Sequence, residues 1–446
     1  MVVKRSLKIF SLNRDWEKMI KLGWLFLLVP LLSWSDDQKV DWGGKVWGNY
    51  LGKLDALTES HSEINAGGIL KIKDSINEHI NLRLEGIAYQ VQSPLLSVPH
   101  KNLESGALFS EINELNLSLS FGSWNIKAGQ LITSWGKSDG LNPTDFLTGK
   151  RNILLVTDDQ LTRRGHLSSM IEWLPEEGAS PWSIQQWFVG IHSKTDVLLN
   201  QELIGDFVQI SSPQTSKRPE IATKISYAGQ GWDFDYTYFS GVNKTPVFVQ
   251  DSFSLFPLKL KLTPKYVRQN AHGLNLVKDF EDFIVRFEGA FIQREEVEST
   301  DYIQNPNRID FIGGFESSLF ETHRFNFQGV VHHYPNYELN QPLNQLQEQI
   351  QILNRFILAQ HLQTRLGYLF IYYFEPSDLN QFKFKFSWLN YFHQEDSNLF
   401  TPQVDYQFSN NLNFQLYGLI FKGSTNAPFG ALEDLSSIGL GANYIF

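Results

Sequence analysis

The chain ends in Ser436–Phe446, where Ile438, Leu440, Ala442, Tyr444 and Phe446 are apolar and Ser437, Gly439, Gly441 and Asn443 are small or polar. Such period-two alternation puts the first set on one face of an extended strand and the second on the other. A strand with one greasy and one wet face belongs to a sandwich or to the wall of a barrel. The rest of the chain must repeat the pattern for either to hold.

It does. Ile80, Leu82 and Leu84 alternate with Asn81, Arg83 and Glu85; Leu115, Leu117, Leu119 and Phe121 alternate with Glu114, Asn116, Ser118 and Ser120. The same rhythm runs through Trp232–Tyr238, Val285–Phe291, Arg324–Val331 and Phe382–Trp388. Helical periodicity is weak and best around Leu343–Leu358. Tight connectors rich in Gly, Asn or Asp, such as Phe121–Trp124, Ala228–Gly231, Lys278–Asp282 and Phe408–Asn411, alternate with long polar ones. The long connectors are 52–67, 92–107, 134–164, 192–217, 294–306, 335–361 and 423–435. Short turns on one side and long loops on the other are the signature of a transmembrane antiparallel up-and-down β-barrel, here of about 16–18 strands. Both chain ends then lie on the turn side, and the last strand pairs with the first near Val46–Leu51. A propeller would repeat a blade motif at fixed period, and no such repeat is found.

Composition fits this class. Hydrophobic residues make up 42% of the 446 positions and aromatics 14%, the mixture expected of a polar lumen inside a short, aromatic-edged membrane band. The net charge of −10 argues against nucleic acid as a partner. Absence of cysteine removes disulfides, thiol chemistry and Cys-ligated metals. The apolar run Leu22–Trp34 is too short to span a bilayer as a helix. With Lys21 before it and Ser33 and Ser35 after it, the run reads as a secretory signal over residues 1–35, with translation starting at Met1 or at Met19. Residues 36–446 form the barrel domain.

In a closed barrel the apolar set faces outer-membrane lipid, since closure satisfies every backbone donor and acceptor there. The opposite set, including Arg83, Glu85, Glu114, Asp233, Asp235, Arg286, Glu288, Arg324, Gln328, Lys383 and Lys385, faces the lumen. A charge placed on the lipid side near the midplane costs about 2–4 kcal/mol for Arg or Lys, which fixes the orientation.

Two stretches resemble known proteins. The terminal strand, with Ile438, Leu440, Tyr444 and the final Phe446, resembles the C-terminal signal of bacterial outer-membrane barrels. That likeness implies recognition by the barrel-assembly machinery. The internal stretch Ser134–Asp145 reads Ser-Trp-Gly-Lys-Ser-Asp-Gly-Leu-Asn-Pro-Thr-Asp and is followed by Asp158-Asp159 and Arg163-Arg164. It resembles a porin-like family of outer-membrane proteins of unknown function, as do Val285–Ala290, Gly313–Glu316 and Pro402–Tyr406. By analogy with porins, the third long loop folds inward. Lys137, Asp139, Asp145, Lys150, Arg151, Asp158, Asp159, Arg163 and Arg164 would then line a constriction. The same charges could instead neutralise one another and fasten the loop to the wall. Asn142, Pro143 and Asp145 suit the start of a short helix, and Trp135 suits a packing anchor.

Other chemistry finds little support. His332 and His333 are adjacent on a strand and point to opposite faces, so they cannot share a metal. Neither a Gly-x-Ser-x-Gly elbow nor a phosphate-binding loop is present, and His272, His332 and His393 stand singly. The expectation is therefore a channel for passive diffusion of small solutes, without cofactor or metal and with no enzymatic role. The oligomeric state stays open. The alternatives are a transporter of hydrophobic compounds and a plugged barrel with an adhesive or structural role.

Overall fold

The computed structural model describes residues 40–53, 62–92, 96–98, 108–138, 140–151, 159–176, 180–195, 197–199, 208–215, 218–255, 258–295, 306–319, 322–335, 337, 347–348, 350–351, 354, 363–376, 381–392, 397–424, 429–430, 433 and 436–446. Both the signal segment and Met19 lie outside them, as do Asp139, Asp158, His393 and the Asp159 side chain.

One 18-stranded antiparallel sheet closes on itself. Its first strands are β1 (Asp41–Lys53), β2 (Ser62–Asn77), β3 (Ile80–Gln92), β4 (Leu108–Phe121), β5 (Trp124–Leu131) and β6 (His166–Trp173). It continues through β7 (Trp182–Ile191), β8 (Glu220–Gly229), β9 (Trp232–Val242), β10 (Arg268–Asp279), β11 (Phe283–Arg294) and β12 (Arg308–Leu319). The circuit ends with β13 (His323–His333), β14 (Thr364–Phe374), β15 (Phe382–Phe392), β16 (Ser397–Gln407), β17 (Leu412–Gly423) and β18 (Ser437–Ile445). Each strand pairs with its sequence neighbour, and β18 returns to β1 in the register Val46↔Tyr444 through Leu51↔Gly439. Beyond β18 the backbones of Phe446 and Gly44 exchange hydrogen bonds of 2.9 and 3.1 Å. The pairing expected near Val46–Leu51 is the one observed.

The alternation fixes the faces. In β4, Leu115 and Leu117 are 41% and 40% exposed, whereas Glu114 and Asn116 are 6% and 5% exposed. This polarity is inverted relative to a water-soluble core, as a lipid-embedded wall requires. Trp124, Trp232 and Phe283 each open a strand just after a tight turn, Trp182 opens β7 on the same side, and all four are exposed. They form an aromatic rim at the turn end, the level at which amphipathic rings meet the membrane interface. The two-residue connector Gln230-Gly231 has φ of 53° and 71°, the left-handed pair that a tight hairpin with right-handed twist requires.

The long-loop side carries its own secondary structure. Residues 243–267, absent from the loops picked out by sequence, contain the hairpin Val247–Leu255 and Leu258–Tyr266. The segments Val208–Ile210 and Gln214–Thr215 add to it in parallel. Asn354 clamps this hairpin, accepting from the Phe248 N–H at 2.6 Å and donating to the Phe248 carbonyl at 2.8 Å. Phe248 and Asn354 are both buried, so three loops meet over the mouth of the barrel.

Candidate functional site

The third long connection, between β5 and β6, folds into the barrel. Leu131, Trp135, Phe146 and Leu147 pack with Met170, Trp187, Val189, Ala222, Phe239, Ala271, Ala290 and Ile292 of β6–β11 in one buried cluster. Each large apolar side chain removed from water in this way contributes about 1.5–3 kcal/mol. Trp135 is 1% exposed and acts as the packing anchor that its setting suggests.

Glu288 of β11 holds the middle of the loop. Its carboxylate accepts the backbone N–H groups of both Lys137 and Ser138 and the Thr144 hydroxyl at 3.3 Å, and that hydroxyl also lies 3.1 Å from Asn275 Oδ1. Gly136 makes this approach possible. Its φ is +90°, and a Cβ there would stand 3.1 Å from both Glu288 Oε2 and Thr144 Oγ1. The Lys137 side chain runs to Asp233 and Asp235 at 3.2 and 3.6 Å, and Lys224 shares Asp235 at 3.3 Å. Gly140 approaches Leu369 of β14. Leu141 packs against Ile312, Val330 and Tyr391 of β12, β13 and β15, with Leu389 and Phe429 alongside. The loop thus reaches strands half-way round the barrel from those it connects.

No helix forms at Asn142–Asp145. The chain makes a turn there, with the Asp145 N–H donating to the Asn142 carbonyl at 3.2 Å. Wall partners take the Thr144 hydroxyl and draw the segment outward instead of letting it coil.

The returning limb carries most of the charges. Arg151 is 1% exposed. Its guanidinium donates to Glu111 at 2.9 Å and Asn113 at 2.7 Å on β4, and to the carbonyls of Leu161 and Arg163. Arg164 joins Glu111 at 3.4 Å and the Lys194 carbonyl at 3.1 Å. Arg163 pairs with Asp145 at 3.3 Å. Burial pushes the Asp145 carboxyl up to about 6 although Arg163 stands beside it. Gly149-Lys150 and Arg163-Arg164 pair as a short ribbon that ties the two limbs together.

Lys150 differs from Arg151 beside it. It lines a cavity of about 290 Å³ between the loop, the mouth loops and β10–β12. Lys244, Arg294 and Arg308 line the same cavity with Asn142, Asp145, Thr148, Thr195, Asn243 and Gln269. Glu220 holds Lys244 at 2.9 Å, and Asp310 holds Arg308 at 2.8 Å. Burial lowers the Lys244 ammonium from its ordinary range, against the pull of Glu220. Sequence reading did not single out Lys244, Arg294 or Arg308. Parity was the available signal for one of them, since Arg294 lies in step with Arg286, Glu288 and Ile292 along β11.

The other wall charges cluster nearer the turn end. Arg83 bridges Glu114 at 2.6 Å and Glu85 at 3.8 Å, and Lys71 reaches Glu85 at 3.4 Å. Arg286 pairs with Glu316 at 2.6 Å, and Arg324 lies 3.8 Å from Glu316 and over the Tyr373 ring at 4.1 Å. Lys385 faces the same ring at 5.5 Å, and Lys383 pairs with Glu375 at 3.3 Å. His332 and His333 diverge as expected, the first to Asp310 at 2.7 Å and the second to Thr364 at 2.8 Å. His272 bonds Tyr236 at 2.9 Å on the outer face.

No protein-family model and no curated protein sequence matches this chain. Solved structures do. OpdK of Pseudomonas aeruginosa, crystallised with vanillate, matches with a TM-score of 0.56 at 12% identity, covering 92% of this chain and 99% of that one. OccAB4 of Acinetobacter baumannii matches at 0.54 and 10% identity, with 92% and 99% covered. OccK8 (OprE) of Pseudomonas aeruginosa matches at 0.54 and 9% identity, with 92% and 98% covered. At these identities the likeness is one of fold, and it extends over nearly the whole barrel.

Proposed function

We propose that this chain is a bacterial outer-membrane channel through which small solutes diffuse passively, narrowed by the inward-folded loop 134–164. The observation that carries this reading is an inside-out barrel whose polar interior is crossed by a loop pinned at Glu288, Arg151 and Leu141. Such a loop removes cross-section without sealing the wall and leaves charged groups beside the remaining path. Likeness in fold to outer-membrane proteins, one of them solved with a small aromatic acid, supports the same reading. Residues 1–35 serve as the export signal, and Ile438, Leu440, Tyr444 and Phe446 present the insertion signal to the barrel-assembly machinery. Within the constriction, Lys150 faces solute, whereas Arg151, Arg163 and Arg164 fasten the loop.

A carrier for hydrophobic compounds would use the apolar patch at Ile312, Val330 and Tyr391. Leu141 and Phe429 already occupy it, which favours the channel. Planar-bilayer recording tests the proposal. Discrete conductance steps are expected from the folded barrel, and larger ones after deletion of residues 138–160. A folded barrel that passes no current would overturn it.

A further inference from the structure

Polar side chains cost free energy on a lipid-facing wall unless they find partners, yet a row of them crosses this one. Tyr368, Asn390, Asn398 and Lys422 stand directly opposite one another on β14, β15, β16 and β17. Their parity is that of the outer face. Along β17, Phe414, Leu416, Ile420 and Lys422 alternate with Gln415, Tyr417 and Phe421, and Leu416 is 47% exposed while Tyr417 is 3%. Asn390 stands eight positions past Phe382, where β15 leaves the turn end. At about 3.4 Å per residue and a tilt of about 40°, that is roughly 20 Å up an apolar band about 25 Å tall. The long-loop side of such a barrel faces outward, so the row lies at the headgroup level of the outer leaflet.

The row is arranged to donate. Asn398 Oδ1 accepts from Trp388 Nε1 at 3.0 Å and from Asn390 Nδ2 at 2.7 Å. Both lone pairs of that oxygen are engaged, and the amide cannot turn over without losing two bonds. Its Nδ2 is left with no partner among the described residues. On the neighbouring strand Lys422 is exposed and makes no ion pair among the described residues. Directly opposed side chains of paired strands stand about 4.5–5.5 Å apart at Cβ, so one ligand group can meet the amide N–H and the ammonium together. One step nearer the midplane lie Trp388, Phe400 and Ile420, again in register. Trp388 and Phe400 stack at 5.6 Å, and Tyr368 meets the Trp388 ring edge-on at 4.9 Å. Oriented donors and a cation above an apolar floor fit a phosphate that carries acyl chains. A free phosphate would leave that floor unused.

We propose that this row holds the phosphate of an outer-leaflet membrane lipid. Its anionic oxygens meet Asn398 Nδ2 and Lys422, and its acyl chains lie against Trp388, Phe400 and Ile420. The site requires the outer-membrane placement of the barrel and stands whether or not solute passes through the lumen.

Native mass spectrometry of the folded, full-length barrel in detergent reads the occupancy. Dioleoyl phosphatidate and dioleoyl phosphatidylcholine serve as probes with identical tails. Phosphatidate should be held about tenfold more tightly, since the choline head offsets its own phosphate. Lys422→Gln should reduce that preference to about twofold. Asn398→Asp keeps the oxygen that Trp388 and Asn390 bond and removes only the N–H donors, so it should abolish the preference. Lys422 is exposed near the end of its strand, so its variant tests the site even where the Asn398 variant folds poorly. Glycerol phosphate, the head without tails, should not compete. Equal retention of the two lipids, a preference unchanged in both variants, or displacement by an equal concentration of glycerol phosphate would each overturn the site.

Discussion

Lys150 and Arg151 are neighbours in the chain and opposites in the molecule. Arg151 points into β4, is held by Glu111, Asn113 and two carbonyls, and is buried. Lys150 points into the cavity among other cations. Two basic residues of one loop therefore take different places, one fastening the loop and one lining the cavity where we propose solute passes. Local extended backbone is the reason, since adjacent side chains on a ribbon leave on opposite sides. A list of loop charges cannot separate the two tasks, whereas the partners of each charge can.

The sharpest way to break this contrast is Arg151→Ala. It leaves Asn113 and the carbonyls of Leu161 and Arg163 without their buried donor, while Arg164 and Tyr89 still hold Glu111, and should cost about 3–5 kcal/mol, seen as a lower thermal midpoint and faster proteolysis within the loop. An unaltered midpoint would mean that Arg151 is no fastener. Glu288→Gln comes next. Loss of the charge on an acceptor shared by two backbone donors should cost about 1.5–3 kcal/mol and give larger, noisier conductance steps. Lys150→Gln should change stability by under about 0.5 kcal/mol while shifting the reversal potential in a salt gradient toward cation preference. If the midpoint fell as far as in the Arg151 variant, the contrast would collapse.

The smallest effect concerns pH. With its carboxyl near 6, Asp145 is ionised at pH 7.5 and mostly neutral at pH 5. Its charged surroundings are Arg163, Lys150 and Lys244. Acidification removes the one negative charge of the lining, so anion preference should rise as pH falls through about 6, and Asp145→Asn should flatten that rise. The stability sign follows from a carboxyl raised above its ordinary 3.8. The folded state holds the proton more tightly, and the contribution present below about 4 is lost as pH rises through about 6.

Much of the barrel was legible because one face of every strand meets lipid and the other water, which writes the wall into the sequence as period two. The same code misleads at 243–267. Leu258, Leu260 and Leu262 alternate with Lys259 and Lys261 as a membrane strand would, yet this hairpin sits over the mouth. Alternation reports two unlike environments and not which ones they are. The turn at Asn142–Asp145 escaped for another reason. Its shape is dictated by Asn275 and Glu288, more than a hundred positions away, and local propensity carries no trace of such partners. Arg308 and Lys244 were passed over because each acquires its meaning only from strands and loops that folding brings together.

The seam between β1 and β18 has a consequence in time. Val46 meets Tyr444, so the first strand keeps a naked edge until nearly all the chain has arrived. Loop-closure entropy makes such a contact late and slow, and an open strand edge invites pairing with other chains meanwhile. Loss of the last strand would therefore leave two permanent edges, and the expected product is an aggregating chain, not a smaller pore.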